Sequence, residues 1–290
     1  MFRKLIAAAT AVAALATISP AIADSGSKIL DRIKERGVIN MGHRESSIPF
    51  SYIGPSGKPI GYSVDICHMF IDKIRGTLKM PNLKINYVPV TSQTRIALMA
   101  NGTIDVECGS TTNNLTRQKQ VDYLAVTFIT GTKLASKKGS GITEVEDLQG
   151  KAIALSQGTT NEKAIKRIAK AKGIKIKIIP VKDHPQGWLA LETGRVDAYA
   201  TDDVLLYGLI SKSKNPDQFQ VTGRFLSYDP YGIMVPQDDS TYQRLGNVLL
   251  ADLMRSGEML KIYNKWFNPG PTGINMPISD TLKTAYQIQA

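Results

Sequence analysis

The sequence is poor in cysteine and histidine and, after its first residues, contains no long apolar run. Two cysteines in 290 residues exclude a small domain held together by many disulfides. The three histidines show neither zinc-ligand spacing nor a catalytic-triad pattern. No stretch after residue 18 approaches the roughly 18 consecutive apolar residues that a membrane-spanning helix needs. The length and the 42% hydrophobic content are those of a globular protein with enough chain for two domains.

Recognisable enzyme motifs are also missing. The chain has no nucleophile elbow, no phosphate-binding loop, no His-Glu-x-x-His pair and no dinucleotide-binding glycine pattern. Two pairs of neighbouring carboxylates, Asp105 with Glu107 and Asp202 with Asp203, are compatible with acid–base or metal chemistry. Such acids at strand ends more often cap helices or form ion pairs. We therefore predict a protein without catalytic activity, without a metal and without a cofactor.

Basic residues outnumber acidic residues by 36 to 25, which gives a net charge of +11. Such an excess points first to nucleic acid or to an anionic membrane. Nucleic-acid recognition would need interleaved aromatic side chains or a known binding module, and neither accompanies the main basic segment. That segment contains Lys163, Lys166, Arg167, Lys170, Lys172, Lys175 and Lys177. We interpret it as solvated surface and expect no nucleic-acid partner.

The N-terminus has the three parts of a signal peptide. A short basic start at 1–4 precedes an apolar, alanine-rich run at 5–18, and Ala21-Ile22-Ala23 has the small-x-small form of a signal-peptidase site. The alternative is an apolar helix of the fold itself. We expect residues 1–23 to be removed and the mature chain to be exported to a bacterial-type periplasm.

In that oxidising compartment the two cysteines could form a disulfide. Cys67 falls on a predicted helix, and Cys108 falls at the end of a predicted strand. The sequence gives no distance between their Cα atoms, so it leaves the pairing open.

After residue 24, short β-rich runs alternate with helical runs, which is typical of an α/β protein with largely parallel sheets. Apolar residues at helical spacing predict a helix over 62–78, and Asp65 in its first turn suits the helix dipole. No flexible linker separates two independent domains, so two lobes would have to be joined by continuous strands. Strands are predicted at 38–41, 83–90, 104–106, 152–155, 174–179 and 196–200.

A weak internal repeat supports two lobes. Residues 99–106 and 191–198 both read as a helix end, a capping glycine and a short strand that carries aspartate. The offset from position 99 to position 191 is 92 residues, and it places Ser92 opposite His184. The same offset places Ser110 opposite Asp202, beyond the strand ends where open α/β sheets bind ligands. The alternative is a chance match, because helix-glycine-strand sequences are common.

Arginines lie in polar segments at the predicted strand-to-helix junctions. Arg44, Arg95 and Arg117 are each within a few residues of Ser or Thr hydroxyls. A guanidinium group can hold a carboxylate through two parallel hydrogen bonds. A single exposed arginine is usually a solvated charge, but three arginines at such junctions favour an anion site.

A predicted helix start offers a second anion-binding feature. Thr159 and Glu162 have the spacing of a capping box, which places Thr160 at the first helical position. Free N–H groups and the helix dipole attract a carboxylate at that end. The alternative is a well-capped helix without a ligand.

Several runs of the sequence are similar to one known family. They are 42–52, 91–95, 101–114, 117–120, 158–160, 182–184, 202–203, 256–258 and 265–267, and together they extend over nearly the whole mature chain. The chain resembles the glutamate/aspartate-binding proteins of bacterial ABC importers, in solute-binding protein family 3. The run Glu-Cys-Gly-Ser-Thr-Thr-Asn-Asn at 107–114 resembles the acidic-amino-acid branch in particular.

The resemblance implies an α/β fold of the type II periplasmic binding protein kind. Lobe 1 would comprise 24–131 and 225–290, and lobe 2 would comprise 132–224, with two hinge strands and a ligand cleft between them. The implied function is a monomeric periplasmic receptor that captures L-glutamate or L-aspartate by cleft closure. It would deliver the amino acid to the membrane permease subunits of an ABC importer. A cyclohexadienyl-dehydratase-like enzyme on the same fold is the alternative.

The resemblance also implies which residues bind the ligand. The α-carboxylate would be held by Arg117 with help from Ser110, Thr112 and the N–H of Thr160. The α-ammonium group would be bound by Asp202. The side-chain carboxylate would be surrounded by Arg44, Ser92, Arg95 and His184, and these four residues would separate glutamate and aspartate from their amides.

Overall fold

The computed structural model describes residues 26–290. The predicted signal peptide, residues 1–23, lies outside the described residues. Within the described part, no helix has both the length and the apolar character to cross a membrane.

The helices in chain order are α1 (Lys28–Arg36), α2 (Tyr62–Leu78), α3 (Arg95–Ala100), α4 (Thr160–Lys172), α5 (His184–Glu192), α6 (Asp203–Ile210), α7 (Ser240–Arg255), α8 (Glu258–Phe267) and α9 (Asp280–Gln289). The strands are β1 (Val38–His43), β2 (Ser46–Ser47), β3 (Ser51–Ile53), β4 (Pro59–Ile60), β5 (Lys84–Pro89), β6 (Val106–Cys108), β7 (Asp122–Thr130), β8 (Thr132–Lys137), β9 (Ala152–Ser156), β10 (Lys177–Val181), β11 (Ala198–Asp202), β12 (Phe219–Thr222) and β13 (Asp229–Val235). Short 3₁₀ turns occur at Arg117–Lys119, Val145–Leu148 and Pro216–Gln218.

Two five-stranded sheets form the frame of the molecule. The first has the order β5-β1-β6-β13-β7, and the second has the order β10-β9-β11-β8-β12. In each sheet the first three strands are parallel, and the other two are antiparallel additions. We call lobe 1 the first sheet with the small β2-β3-β4 sheet and α1, α2, α3, α7, α8 and α9. We call lobe 2 the second sheet with α4, α5 and α6.

The chain passes between the two sheets twice, and the two crossings touch. One crossing is at Gly131, between β7 and β8, and the other runs through 223–228, between β12 and β13. A Cβ atom at Gly131 would lie 2.1 Å from the carbonyl oxygen of Ser227, so a larger residue would force the crossings apart. The N–H of Leu226 also donates to the carbonyl oxygen of Thr132 at 2.9 Å.

The internal repeat is confirmed in three dimensions. The spatial order β5-β1-β6 in lobe 1 matches β10-β9-β11 in lobe 2. Asp105 Oδ2 accepts a hydrogen bond from the N–H of Asn40 at 2.8 Å, and Asp197 Oδ2 accepts one from the N–H of Ala152 at 2.8 Å. The two aspartates therefore fasten equivalent strands in the two lobes. The strands β6 and β11 begin two residues later than predicted, because the residues after each glycine first turn the chain away from the helix.

Lobe 1 has the larger core, built around an aromatic cluster. The ring centroid of Phe50 lies 4.9 Å from that of Phe128 and 5.1 Å from that of Tyr231, and Phe128 lies 5.0 Å from Phe267. Lobe 2 has separate apolar clusters on the two faces of its sheet. Trp188 belongs to one of them, where it packs on Phe219 with a centroid distance of 4.8 Å.

The outer edge of β7 is covered by side-chain amides. Asn247 accepts from the N–H of Ala125 at 2.7 Å, and Gln289 accepts from the N–H of Val126 at 2.7 Å. Gln243 donates to the carbonyl oxygen of Tyr123 at 2.9 Å. Because these backbone groups already have partners, this edge is a poor template for pairing with another strand.

A disulfide joins Cys67 of α2 to Cys108 at the end of β6, with a Cα–Cα distance of 6.1 Å. This answers the question that the sequence left open. The link ties the buried face of α2 to the strand end that leads into Gly109 and Ser110. Ser63, on the same helix, donates to the carbonyl oxygen of Gly109 at 2.8 Å.

We predict that the Cys67→Ala/Cys108→Ala variant has a free energy of unfolding lower by about 2–4 kcal/mol, because the bridge closes a loop of 41 residues in the unfolded chain. Urea unfolding of oxidised wild type, reduced wild type and the variant measures the difference. Reduced wild type should match the variant. Equal urea midpoints for the oxidised wild type and the variant would contradict the prediction.

Candidate functional site

The carboxyl ends of the parallel strands in the two sheets face each other. Side chains that follow β1, β5 and β6 in lobe 1, together with Tyr231 of β13, form hydrogen bonds with groups at or just beyond the carboxyl ends of β9, β10 and β11 in lobe 2. The bonds that cross between the lobes at these strand ends join Arg44 to Asp183, Ser92 to Asp183, Thr112 to Thr160, Arg117 to Gly158 and Tyr231 to Asp202. Beside the crossings, Thr130 Oγ1 of lobe 1 also donates to the carboxylate of Asp203 in lobe 2 at 2.6 Å. This interface is the candidate site.

Arg44 follows β1 and has a fully buried side chain. Its Nη2 donates to Ser92 Oγ at 2.9 Å and also to the carboxylate of Asp183 in lobe 2. Ser92 Oγ donates to the same carboxylate oxygen at 2.9 Å. Burial alone would raise the pKa of Asp183, but the charge of Arg44, the neighbouring His184 and the hydrogen bond from Ser92 together outweigh burial and lower that pKa to about 2. Asp183 is therefore ionised at neutral pH.

Arg95, the first residue of α3, is turned toward the loop after β6. Its Nη1 donates to the carbonyl oxygen of Ser110 at 3.0 Å and to Thr111 Oγ1 at 2.8 Å. Burial, followed by the positive charges of Arg117 and Arg44, lowers the pKa of Arg95 to about 10. The guanidinium group stays charged at neutral pH. The three arginines lie close enough for the charges of Arg44 and Arg117 to affect the pKa of Arg95.

Arg117 connects the same loop to lobe 2. Its Nη1 donates to the carbonyl oxygen of Thr112 at 2.7 Å, and its Nη2 donates to the carbonyl oxygen of Gly158 at 3.0 Å. Gly158 has a φ of +75°, and a Cβ atom there would lie 3.2 Å from the carbonyl oxygen of Ser92. Both its conformation and the close approach of lobe 1 therefore favour glycine.

The predicted helix start beside Gly158 is confirmed. Thr159 is the N-cap of α4, and its Oγ1 accepts from the N–H of Glu162 at 3.1 Å. The Glu162 carboxylate reaches back to the N–H of Gly158 at 3.0 Å, one residue earlier than in a standard capping box. Thr160 is the first helical residue, and its Oγ1 lies 3.3 Å from Thr112 Oγ1 across the interface.

Asp202 is buried at the end of β11. One carboxylate oxygen accepts from Asn161 Nδ2 at 2.8 Å, and the other accepts from the hydroxyl of Tyr231 in lobe 1. Burial, together with the nearby carboxylate of Asp229, raises the pKa of Asp202 to about 8. The carboxyl group is therefore mostly protonated at neutral pH, and a cation close to it would favour the charged form.

His184, at the start of α5, is buried and uncharged at neutral pH. Burial lowers its pKa to about 3, although the negative charge of Asp183 opposes that shift. Its Nδ1 lies 2.7 Å from the hydroxyl of Tyr199. Because burial also raises the pKa of Tyr199, the phenol keeps its proton and its hydroxyl can donate a hydrogen bond to Nδ1. A neutral imidazole with Nδ1 as acceptor carries its proton on Nε2 and can donate a hydrogen bond from there.

The structure brings all nine predicted site residues to this interface or to side chains that line it. Eight of them are buried and Thr160 is half-buried. Sequence reasoning missed four residues that hold them in place, namely Asn161, Asp183, Tyr199 and Tyr231. Asp183 had a detectable signal, because it stands beside His184 in the run 182–184 that resembles the family. The other three carried no such signal.

Several buried donors in the cluster have no hydrogen-bond partner. They are Nε and Nη1 of Arg44, Nε of Arg95 and Oγ of Ser110. Unpaired buried donors of this kind suit a ligand that brings carboxylate oxygens. Among residues 26–290, no group of three or more His, Cys, Asp or Glu side chains is arranged to hold a metal ion.

Comparison with known proteins identifies the family. Residues 39–269 match the family of bacterial extracellular solute-binding proteins, family 3. The chain belongs to this family. An L-glutamate/L-aspartate-binding protein of Pseudomonas aeruginosa is 44% identical over 279 residues, which cover 94% of this chain and 92% of that protein. A glutamate/aspartate import solute-binding protein of Escherichia coli K12 is 38% identical and covers 98% of this chain and 96% of its own length.

The solved structure of a cysteine-binding protein from Campylobacter jejuni has the same fold. Its TM-score with this family 3 protein is 0.74 at 23% identity, and the match covers 86% of this chain and 96% of that one. The predicted fold class, a type II periplasmic binding protein with two α/β lobes, is confirmed. The Pseudomonas aeruginosa and Escherichia coli relatives named above are solute-binding proteins and not enzymes. The chain is accordingly a binding protein, and the enzyme alternative is not favoured.

We predict that Asp202→Asn changes the pH dependence of stability. The pKa of Asp202 is about 8 in the fold against an ordinary value of 3.8, so between pH 4 and pH 8 the folded protein holds a proton that the unfolded chain has released. Rising pH therefore lowers the free energy of unfolding in this window, by at most about 1.4 kcal/mol per pH unit. The amide that replaces this carboxyl group does not titrate, so the variant should lose less stability than wild type as pH rises.

Urea unfolding at pH 5 and pH 8 without added amino acid measures this effect. Asp217→Asn, at an exposed position, is the matched control and should follow wild type. A stability difference between Asp202→Asn and wild type that is the same at both pH values would refute the assignment.

Proposed function

We propose that the protein is a periplasmic receptor that binds L-glutamate or L-aspartate between its lobes and delivers it to the permease of an ABC importer. The observation that carries the proposal is the convergence of three buried arginines and the buried Asp202 at the interface between the lobes. An acidic α-amino acid has two carboxylates and one ammonium group, which match that set. The names of the relatives in Pseudomonas aeruginosa and Escherichia coli support the same ligands.

The proposed lobe boundaries are 24–131 with 225–290 for lobe 1, and 132–224 for lobe 2. The crossings at Gly131 and at 223–228 support this division, because each lies between strands of different sheets. Two short, adjacent crossings allow a hinge motion with little change inside either lobe. A ligand that contacts both lobes would shift the hinge equilibrium toward the closed form.

We assign the α-carboxylate to the group around Thr112. This group contains Arg117, Ser110, Thr112 and the N–H of Thr160. Thr112 contacts Arg117 through its carbonyl oxygen and Thr160 through its hydroxyl, which supports a shared role. Asp202 would bind the α-ammonium group. An ammonium cation would also lower the raised pKa of Asp202, so that binding near neutral pH would release a proton.

We assign the side-chain carboxylate of the ligand to the second group, which contains Arg44, Ser92, Arg95 and His184. The unpaired Nε and Nη1 of Arg44 and Nε of Arg95 support the assignment, because each can donate to a carboxylate oxygen. A neutral amide such as glutamine would compensate these buried positive charges poorly. This group would therefore select acidic ligands over their amides.

The location and the partners follow from the same proposal. Residues 1–23 would direct export to the periplasm, where the Cys67–Cys108 disulfide can persist. The protein would act as a monomer, in keeping with the covered edge of β7. It would have no nucleic-acid partner. The exposed lysines of α4 would be in contact with solvent and not with a nucleic acid.

We predict that the mature protein binds glutamate and aspartate far more tightly than glutamine or arginine. Isothermal titration calorimetry with the four amino acids measures this selectivity. Small-angle X-ray scattering with and without glutamate should show a smaller radius of gyration in the bound form, because the lobes close. If arginine bound and the two acids did not, the proposed ligand class would be wrong.

We predict that two arginine substitutions separate the two carboxylate groups. Arg117→Ala should weaken all α-amino acids, whereas Arg95→Ala should weaken the acidic ones most. Each loss should be about 30-fold to several-thousand-fold in affinity, as for removal of one partner of a buried charge pair. Calorimetry with glutamate and glutamine measures both effects, and Arg167→Ala on the exposed face of α4 is the control. Equal losses of glutamate and glutamine in both variants would contradict the division of roles.

A further inference from the structure

Asp183 is the N-cap residue of α5, yet its side chain does not cap the helix. An aspartate at this position ordinarily accepts a hydrogen bond from an N–H of the first turn. Here the carboxylate instead receives hydrogen bonds from Arg44 and Ser92, both in lobe 1. The side chain thus gives up a local stabilising contact for one across the interface.

The contact between Asp183 and Arg44 is an ion pair between the two lobes. Among the ion pairs formed by residues 26–290, it is the one that joins lobe 1 to lobe 2. The Arg44 side chain has no exposed surface, and that of Asp183 is 14% exposed. The other bonds across the interface pair a charged group with a neutral one, or two neutral groups. Asp183 is therefore the anion that balances Arg44 when the lobes are together.

We propose that Asp183 is a positioning residue that latches the closed form by pairing with Arg44, without itself touching the ligand. This inference rests on the proposed function. The pair exists only when the lobes meet, since its members stand on opposite lobes. Separation of the lobes must break the pair before the ligand can leave. The latch therefore acts on the rate of ligand release and not on the rate of ligand entry.

The same contact positions Arg44 for its proposed ligand role. Asp183 and Ser92 both bind Nη2, which fixes the plane of the guanidinium group and leaves Nη1 and Nε free to donate. Asparagine at position 183 would keep the shape but remove the charge. Arg44 would then be buried in the closed form without its counter-ion, which is costly. Closure would become less favourable, although the ligand contacts would be unchanged.

The test is stopped-flow kinetics of glutamate binding to the mature protein. Asp183→Asn should release glutamate about 10- to 1,000-fold faster than wild type, with an association rate within about three-fold. Asp183→Glu keeps the charge and should restore part of the slow release. Glu146→Gln is the matched control, because Glu146 pairs with Lys172 and Arg224 inside lobe 2, and it should behave as wild type.

The outcomes separate a latch from a merely structural residue. A latch leaves the thermal midpoint of the ligand-free protein near that of wild type, whereas a structural residue lowers it and slows association as well. Release from Asp183→Asn within about two-fold of wild type would overturn the inference. A loss of glutamate affinity in Asp183→Asn that came only from slower association would also overturn it. Failure of wild type to bind glutamate would instead refute the proposed function, and the latch with it.

Discussion

The arrangement of this protein depends on one constraint, which is that a buried charge needs a partner. Arg44, Arg95 and Arg117 lie out of water at the junction of two lobes, and neither lobe alone supplies all their partners. Arg44 needs Asp183 from lobe 2, and Arg117 uses a carbonyl oxygen of lobe 2. Because unpaired buried charges are costly, the lobes can stay together only where these groups meet. The pairing of the buried charges and the closure of the lobes therefore depend on each other.

The fold meets this constraint through repetition of one unit. The order β5-β1-β6 recurs as β10-β9-β11, so the carboxyl ends of two sets of parallel strands can be turned toward each other. Asp105 and Asp197 fasten the equivalent strands in the same way. The disulfide then holds α2 against the end of β6, just before the loop to which Arg95 and Arg117 donate hydrogen bonds. Each polar side chain at the interface therefore projects from a rigid support.

Local patterns predicted the parts of the fold that local forces determine. The helix at 62–78, the first position of Thr160 in α4 and the 92-residue repeat all follow from periodicity and capping. The pairing of Cys67 with Cys108 did not, because it depends on how α2 packs on β6. Asp183, Tyr199 and Tyr231 were missed for a related reason. Their roles arise from contacts between segments that are distant in sequence, and a buried tyrosine in a strand ordinarily indicates core.

Asp202 shows how the site balances stability against binding. Its carboxyl group forms hydrogen bonds with Asn161 and Tyr231. Burial and the negative charge of the nearby Asp229 favour its protonated form. A cationic ammonium group would reverse that preference, because it would supply the positive charge that the surroundings of Asp202 otherwise lack. Each proposed ligand charge thus meets a protein group that is incompletely paired without it. A neutral or singly charged solute would pair with only some of these groups. The site would therefore discriminate acidic amino acids from other solutes by charge matching and not by shape alone.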